Sequence, residues 1–269
     1  DGLDRLLEQQ QPDLAAHASL VAKATYIYTD TAGAVSVHQT DNLDAATARE
    51  TYQYFDGLGR LIQERKEAEG TNYEVTDKAY NNLGLLEKES LPYFSAGSSK
   101  TSPNETADLY TTTTYDPLSR VASVTNSAGT TANAYADWEL AVTDPNGVEK
   151  DLYKDAYGNL IQVDEHNGEE IYSTAYTYDY LGDLTKITDA LGNVRNFTYN
   201  GLGRRLAAED LHAAADAYFG SYSYTYDDAG NLTEVADPNA NTIDYTSDGL
   251  NRKLTEDQIG QAGTEVTKT

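Results

Sequence analysis

The stretch Tyr224-Thr225-Tyr226-Asp227-Asp228-Ala229-Gly230-Asn231-Leu232 decides the fold. Tyr224 and Tyr226 stand two apart, so an extended strand places both on one face. Asp227 opens a turn, because its carboxylate accepts the backbone N–H two residues on. Gly230 closes that turn in the left-handed region, where a Cβ costs about 1–2 kcal/mol. A type I turn followed by a left-handed residue is a common hairpin connection with a bulge. The stretch therefore predicts a strand, a tight corner and a returning strand that starts at Leu232.

The same form recurs along the chain. Tyr52, Tyr54, Asp56 and Gly59 make one copy, Tyr176, Tyr178, Asp179 and Gly182 another, and Tyr199, Asn200 and Gly203 a third. Weaker copies sit at Tyr80, Asn81 and Gly84, at Tyr115 and Asp116 with Ser119, at Tyr153, Asp155 and Gly158, and at Tyr28 with Asp30 and Gly33. Softer punctuation lies between them, at Asp144 to Gly147, Asp189 to Asn193 and Asp237 to Asn241, with Asn126 to Gly129 and His166 to Gly168 in the same place. Closing positions 119 and 129, 147 and 158, 182 and 192, and 192 and 203 stand about 10 or 11 apart. That leaves about six or seven residues per strand, roughly 20 Å of extended chain. No room remains for crossover helices, so a parallel α/β sheet is excluded and an antiparallel meander is expected. Stacked copies are expected to align their tyrosines as a ladder across neighbouring strands, with each phenol keeping a polar tip for a partner or water. Of the closing residues that are not Gly, Ser119 is the least comfortable.

Composition agrees with thin, Tyr-faced layers. Among 269 residues there are 22 Tyr and a hydrophobic fraction of only 39% with Tyr included, so aliphatic core formers are scarce. The formal charge of −25 works against nucleic-acid backbones and anionic lipid surfaces. There is no Cys for a disulfide, a thiolate nucleophile or a thiolate metal site. No apolar run approaches the roughly 18 residues of a spanning helix. The chain has no Met, and Asp1-Gly2-Leu3-Asp4-Arg5-Leu6 reproduces a repeat turn without its preceding strand. Residues 1–269 are thus expected to be a single repeat array cut from a longer chain. Ser95 to Ala107 reads as an exposed loop insertion, Leu211 to Phe219 as a short helix or longer hairpin tip, and residues 8–19 as another long connection.

These units resemble the YD repeats of Rhs proteins, a family that includes the B and C components of bacterial Tc toxins, other bacterial polymorphic toxins and animal teneurins. The resemblance covers essentially the whole chain. Tyr52 to Phe94, with Asp56-Gly57-Leu58-Gly59-Arg60 and Glu89-Ser90-Leu91-Pro92-Tyr93-Phe94, is most similar to the bacterial members. It implies an all-β fold of antiparallel hairpins in a curved or spiralling sheet, part of a hollow barrel or cocoon. It also implies a non-catalytic shell role in a secreted or surface bacterial protein. The implied partners are adjacent YD repeats of the same longer chain, an enclosed toxin polypeptide, and other toxin-complex components. The core segment that carries self-cleavage in the family has no counterpart here, so no catalytic residue is carried over.

Enzyme and ligand readings are weaker. His17, His38, His166 and His212 are not at metal-ligand spacing, so no metal or cofactor is expected. Asp164, Glu165 and His166 form an acid–base trio on paper, but in so acidic a chain a solvated hairpin tip is the plainer reading. Calcium in Asp-rich turns is disfavoured, because each Asp already caps a turn and neither the EF-hand loop nor a Gly-Gly-x-Gly-x-Asp repeat occurs. Three Asn-x-Thr sequons, at Asn104, Asn196 and Asn231, read as chance in a bacterial protein. Trp138 reads as a packed strand residue. The alternative function is an extracellular adhesion or carbohydrate-binding surface on which exposed Tyr and Trp138 stack against sugars.

Overall fold

A computed structural model describes residues 3, 5–12, 20–31, 34–43, 47–260 and 265–268. Asp1, Gly2, Asp4, His17 and Gly33 lie outside the described residues. The chain divides into two compact units, Asp1–Ala132 and Asn133–Thr269.

The first unit runs through β1 (Glu8–Pro12), β2 (Leu20–Thr31), β3 (Ala34–Asn42), β4 (Ala48–Phe55), β5 (Leu61–Glu67) and β6 (Asn72–Tyr80). It continues with β7 (Leu86–Ser90), β8 (Tyr93–Ala96), β9 (Tyr110–Tyr115), β10 (Val121–Asn126) and the start of β11 (Gly129–Ala136). Strands β1 to β6 pair antiparallel in chain order. The sheet then forks. The end of β6 pairs with β7 and its beginning with β8, while β7 takes β9 as its other neighbour. Residues 8–12, expected within a long connection, are instead a strand, since Glu8 to Pro12 find ladder partners on β2.

The second unit comprises β12 (Glu139–Thr143), β13 (Glu149–Lys154), β14 (Leu160–Asn167), β15 (Glu170–Tyr178), β16 (Leu184–Thr188) and β17 (Asn193–Tyr199). There follow β18 (Arg205–Glu209), β19 (His212–Ala213), β20 (Ser221–Tyr226), β21 (Leu232–Ala236), β22 (Thr242–Ser247), β23 (Lys253–Ile259) and β24 (Glu265–Lys268). It forks in the same way. The end of β17 pairs with β18 and its beginning with β19, and β18 continues to β20. Residues 211–219 thus form no helix: His212 and Ala213 pair with Val194 and Asn193. Among the described residues there is no α-helix, and no pairing joins β1 to β11 or β12 to β24.

Among the described residues there is no thick apolar core. The buried hydrophobic side chains there are Ala24, Val75, Val194, Phe197 and Ala208, while the largest fully buried ones include Arg65, Gln63 and Asp77. Half-buried sheet faces therefore carry the apolar burial, as the shortage of aliphatic residues requires.

Candidate functional site

The repeated corner is built the same way each time. At Asp56, Asn81, Asp116, Asp144, Asp155, Asp179, Asp189, Asn200, Asp227, Asp237 and Asp248 the opening residue donates its N–H to the carbonyl four residues on. It accepts from the amide three residues on. At Asp56, Oδ1 takes the N–H groups of Leu58 and Arg60, both at 2.9 Å. Where the fifth residue is Arg or Asn after an opening Asp, its side chain binds the remaining oxygen: Arg60 at 2.7 Å, Asn159 on Asp155 at 3.0 Å, Asn231 on Asp227 at 2.8 Å. Donated amides hold these carboxyl groups below the ordinary carboxylate value. The Arg60 backbone N–H is the main cause at Asp56, and the Asn159 and Asn231 side chains at Asp155 and Asp227. Sequence reading found the amide two residues on but missed the role of the fifth residue. The recurrence of Arg or Asn at that place was the available signal.

The closing residues adopt positive φ as the turn demands: Gly59, Gly84, Gly158, Gly182, Gly203 and Gly230 do so, and so do Ser119 (63°), Ala240 (61°) and Asn251 (61°). Asn126 to Gly129 and Asn167 to Glu170 are a different connection, two-residue hairpins.

The tyrosines do not form the expected ladder across neighbouring strands. Tyr176 faces Ile187, Tyr224 faces Val235 and Tyr226 faces Leu232, because each returning strand carries aliphatic residues at the facing positions. Tyr52 touches Tyr73 edge-on, with ring centroids 5.9 Å apart. Register also splits the set. Phe55, Tyr80, Tyr115, Tyr178, Tyr199 and Tyr226 directly precede their turns and pair with the residue just beyond the corner. Tyr52, Tyr54 and Tyr153 are one step out of that phase, so they point to the opposite face.

The tyrosine that directly precedes the turn has a job of its own. The phenols of Tyr80, Tyr115, Tyr178 and Tyr226 donate to the carbonyls of Leu61, Leu86, Leu160 and Arg205, at 2.7–3.0 Å, and Tyr28, inside β2, donates to Leu6 at 2.9 Å. Leu61, Leu86, Leu160 and Arg205 each stand just past the preceding copy of the corner. There the ladder has stopped: β14 and β15 pair only as far as Gln162 and Ala175, and β5 and β6 as far as Gln63 and Asp77. The phenol bridges the splayed gap and satisfies a carbonyl the ladder leaves over. Arg5, Arg60 and Arg204 of the preceding copies stack on Tyr28, Tyr80 and Tyr226, with guanidinium carbons 4.3–5.1 Å from the ring centroids. The repeat motif is thus a device that joins one hairpin to the next.

The insertion after β7 covers a polar cluster. Most of Ser95 to Thr106 is exposed on its outer side, but its inner atoms cap buried side chains. Arg65 donates to the carbonyls of Gly97 (3.0 Å) and Ala96 (3.2 Å), to Thr101 Oγ1 (3.0 Å) and to Gln63 Oε1 (3.2 Å). Gln63 donates to Asp77 (2.7 Å), which also accepts from the Tyr93 hydroxyl (2.7 Å) and the Asn104 amide (3.2 Å). Burial, and then the Asp77 carboxylate, push the Tyr93 phenol up to about 12, so it stays a donor. Nothing in the repeat pattern announces this cluster, whose members come from β5, β6, β8 and the loop. In the second unit the shorter insertion does a similar job. Glu209 accepts from Asn196 and pairs with His212 Nε2 (3.1 Å), whose ring stacks on Phe219 at 3.9 Å.

The trio Asp164, Glu165 and His166 is not brought together, because residue 165 alternates to the other face. Asp164 accepts from Gln162, Glu165 pairs with Lys150 at 2.6 Å, and His166 meets Asp151 at 2.8 Å. The Asp151 hydrogen bond, with Glu149 and Asp164 close by, raises the His166 pKa. On the same face farther on, Glu234, Asp244 and Asp257 stand in cross-strand register. Trp138 is 61% exposed at the tip of a two-residue connection rather than packed in a strand.

Residues 25–140 match a domain of unknown function (DUF6443), and residues 155–194 and 178–214 match the RHS Repeat family. No curated protein matches the chain. Among solved structures, the crystal structure of TcdB2-TccC3-TEV aligns with a TM-score of 0.64 and 16% identity over 87% of this chain. That of TcdB2-TccC3 aligns with a TM-score of 0.51 and 12% identity over 96%. The chain spans 14% and 22% of those chains. The RHS repeat is thus matched by sequence over residues 155–214, its corner recurs through both units, and the all-β fold is shared with these structures.

Proposed function

We propose that the chain is a non-catalytic wall segment of a YD-repeat shell that encloses a polypeptide, in a secreted or surface bacterial protein. Its neighbours would be further YD repeats of the same longer chain, and its partners an enclosed toxin polypeptide or other toxin-complex components. The observation that carries the reading is the phenol bridge between successive hairpins, which extends a sheet copy by copy without a thick core. The shared fold with TcdB2-TccC3 structures supports it. The test is limited proteolysis of the full-length protein. A segment outside the repeats should be protected while the repeats are folded and cleaved once they are unfolded. Equal cleavage in both states would sink the enclosure.

A second reading, glycan binding, is favoured by Trp138 and by Tyr157 and Tyr180, both 93% exposed. Reproducible binding on a glycan array that is lost in Trp138→Ala would support it over the shell.

A further inference from the structure

We propose that Glu149, Asp151 and His166 form a binding site for a divalent transition-metal ion of the zinc class. Cross-strand register assembles it. Lys150 pairs with Glu165 and Asp151 with Asp164, so Glu149, Asp151, Asp164 and His166 share one face of β13 and β14. One donor atom from each of Glu149, Asp151 and His166 lies within 4.8 Å of the others. His166 Nε2 is 2.8 Å from Asp151 Oδ2 and 3.9 Å from Glu149 Oε1. Metal–donor bonds of about 2.0–2.1 Å at a tetrahedral centre put donors roughly 3.3 Å apart, between those two values.

A second observation points to a ligand. Asp151 is only 7% exposed, and its Oδ1 is buried without a hydrogen-bond partner. A buried, unsatisfied carboxylate oxygen is costly, and Asp164 directly opposite adds like-charge repulsion. A cation on this face relieves both. One imidazole nitrogen with carboxylate oxygens suits zinc or cobalt better than calcium, which takes oxygen donors. The Glu149 side chain is 46% exposed and that of His166 27%, so an ion can enter from solvent. This site is independent of what the wall encloses.

The test is calorimetric titration of the chelator-treated chain with Zn2+, alongside visible absorption with Co2+. One Zn2+ per chain at micromolar affinity or tighter is expected, with Co2+ bands in the visible. His166→Ala and Glu149→Gln are each expected to weaken binding at least about tenfold, and Glu149→Gln, which leaves the His166–Asp151 contact in place, should not disturb folding. His212→Ala should leave it unchanged. Absence of Zn2+ binding by the wild-type chain overturns the proposal. So does binding that both His166→Ala and Glu149→Gln retain in full.

Discussion

The hydroxyl of Tyr178 donates to the carbonyl of Leu160 across 2.9 Å, between strands whose ladder ended at Gln162 and Ala175. The tyrosine before the turn is therefore a fastener between hairpins, and its polar tip matters as much as its ring. Tyr178→Phe keeps the ring and leaves the Leu160 carbonyl unmet. The expected cost is about 1 kcal/mol. Tyr180→Phe, at a residue 93% exposed, should cost nothing measurable. Urea unfolding of the two variants checks this, and equal midpoints would remove the fastener.

The closing position of the corner requires the left-handed region. Gly203 sits at φ +72°, while Leu202 beside it is 78% exposed. Gly203→Val should destabilise by more than about 1 kcal/mol and Leu202→Val by much less. Conversely, Ser119→Gly and Ala240→Gly, at φ 63° and 61°, should each raise the thermal midpoint.

Asp77 is the hub under the insertion. Asp77→Ala strips Gln63, Tyr93 and the Asn104 amide of their acceptor. About 2–4 kcal/mol is expected. The insertion should open locally, and protease cleavage between residues 97 and 105 should speed up in Asp77→Ala but not in Glu105→Ala. Cleavage at the same rate in both would show that the loop is held by something else.

The turn carboxylates set the acid limit. Asp155, Asp189, Asp227 and Asp237 have folded-state pKa values lowered chiefly by the side-chain amides of Asn159, Asn193, Asn231 and Asn241. A lowered folded value gives stability that is present above the unfolded value of about 3.9 and lost as pH falls through the folded one. Circular dichroism should therefore show the sheet stable above about pH 4 and weakening below it. Asn231→Leu should reduce that acid dependence, since Asp227 then titrates closer to its unfolded value.

The sequence by itself determined the local grammar. Asp227 to Gly230 and their copies specify a corner through backbone geometry and bonds to the Asp side chain within five residues, and corners 10 or 11 residues apart leave room only for antiparallel strands. A five-residue hydrogen-bond pattern is complete within its own segment, so it is legible without knowledge of the rest. The tertiary structure decided what is non-local. It put Tyr226 against Leu232 rather than another tyrosine, folded residues 95–107 over Arg65 and Asp77, and separated Glu165 from His166 while bringing Asp151 to it. Each of these depends on strand register, where a shift of one residue turns every side chain to the other face, and register is set by partners that lie outside the segment being read.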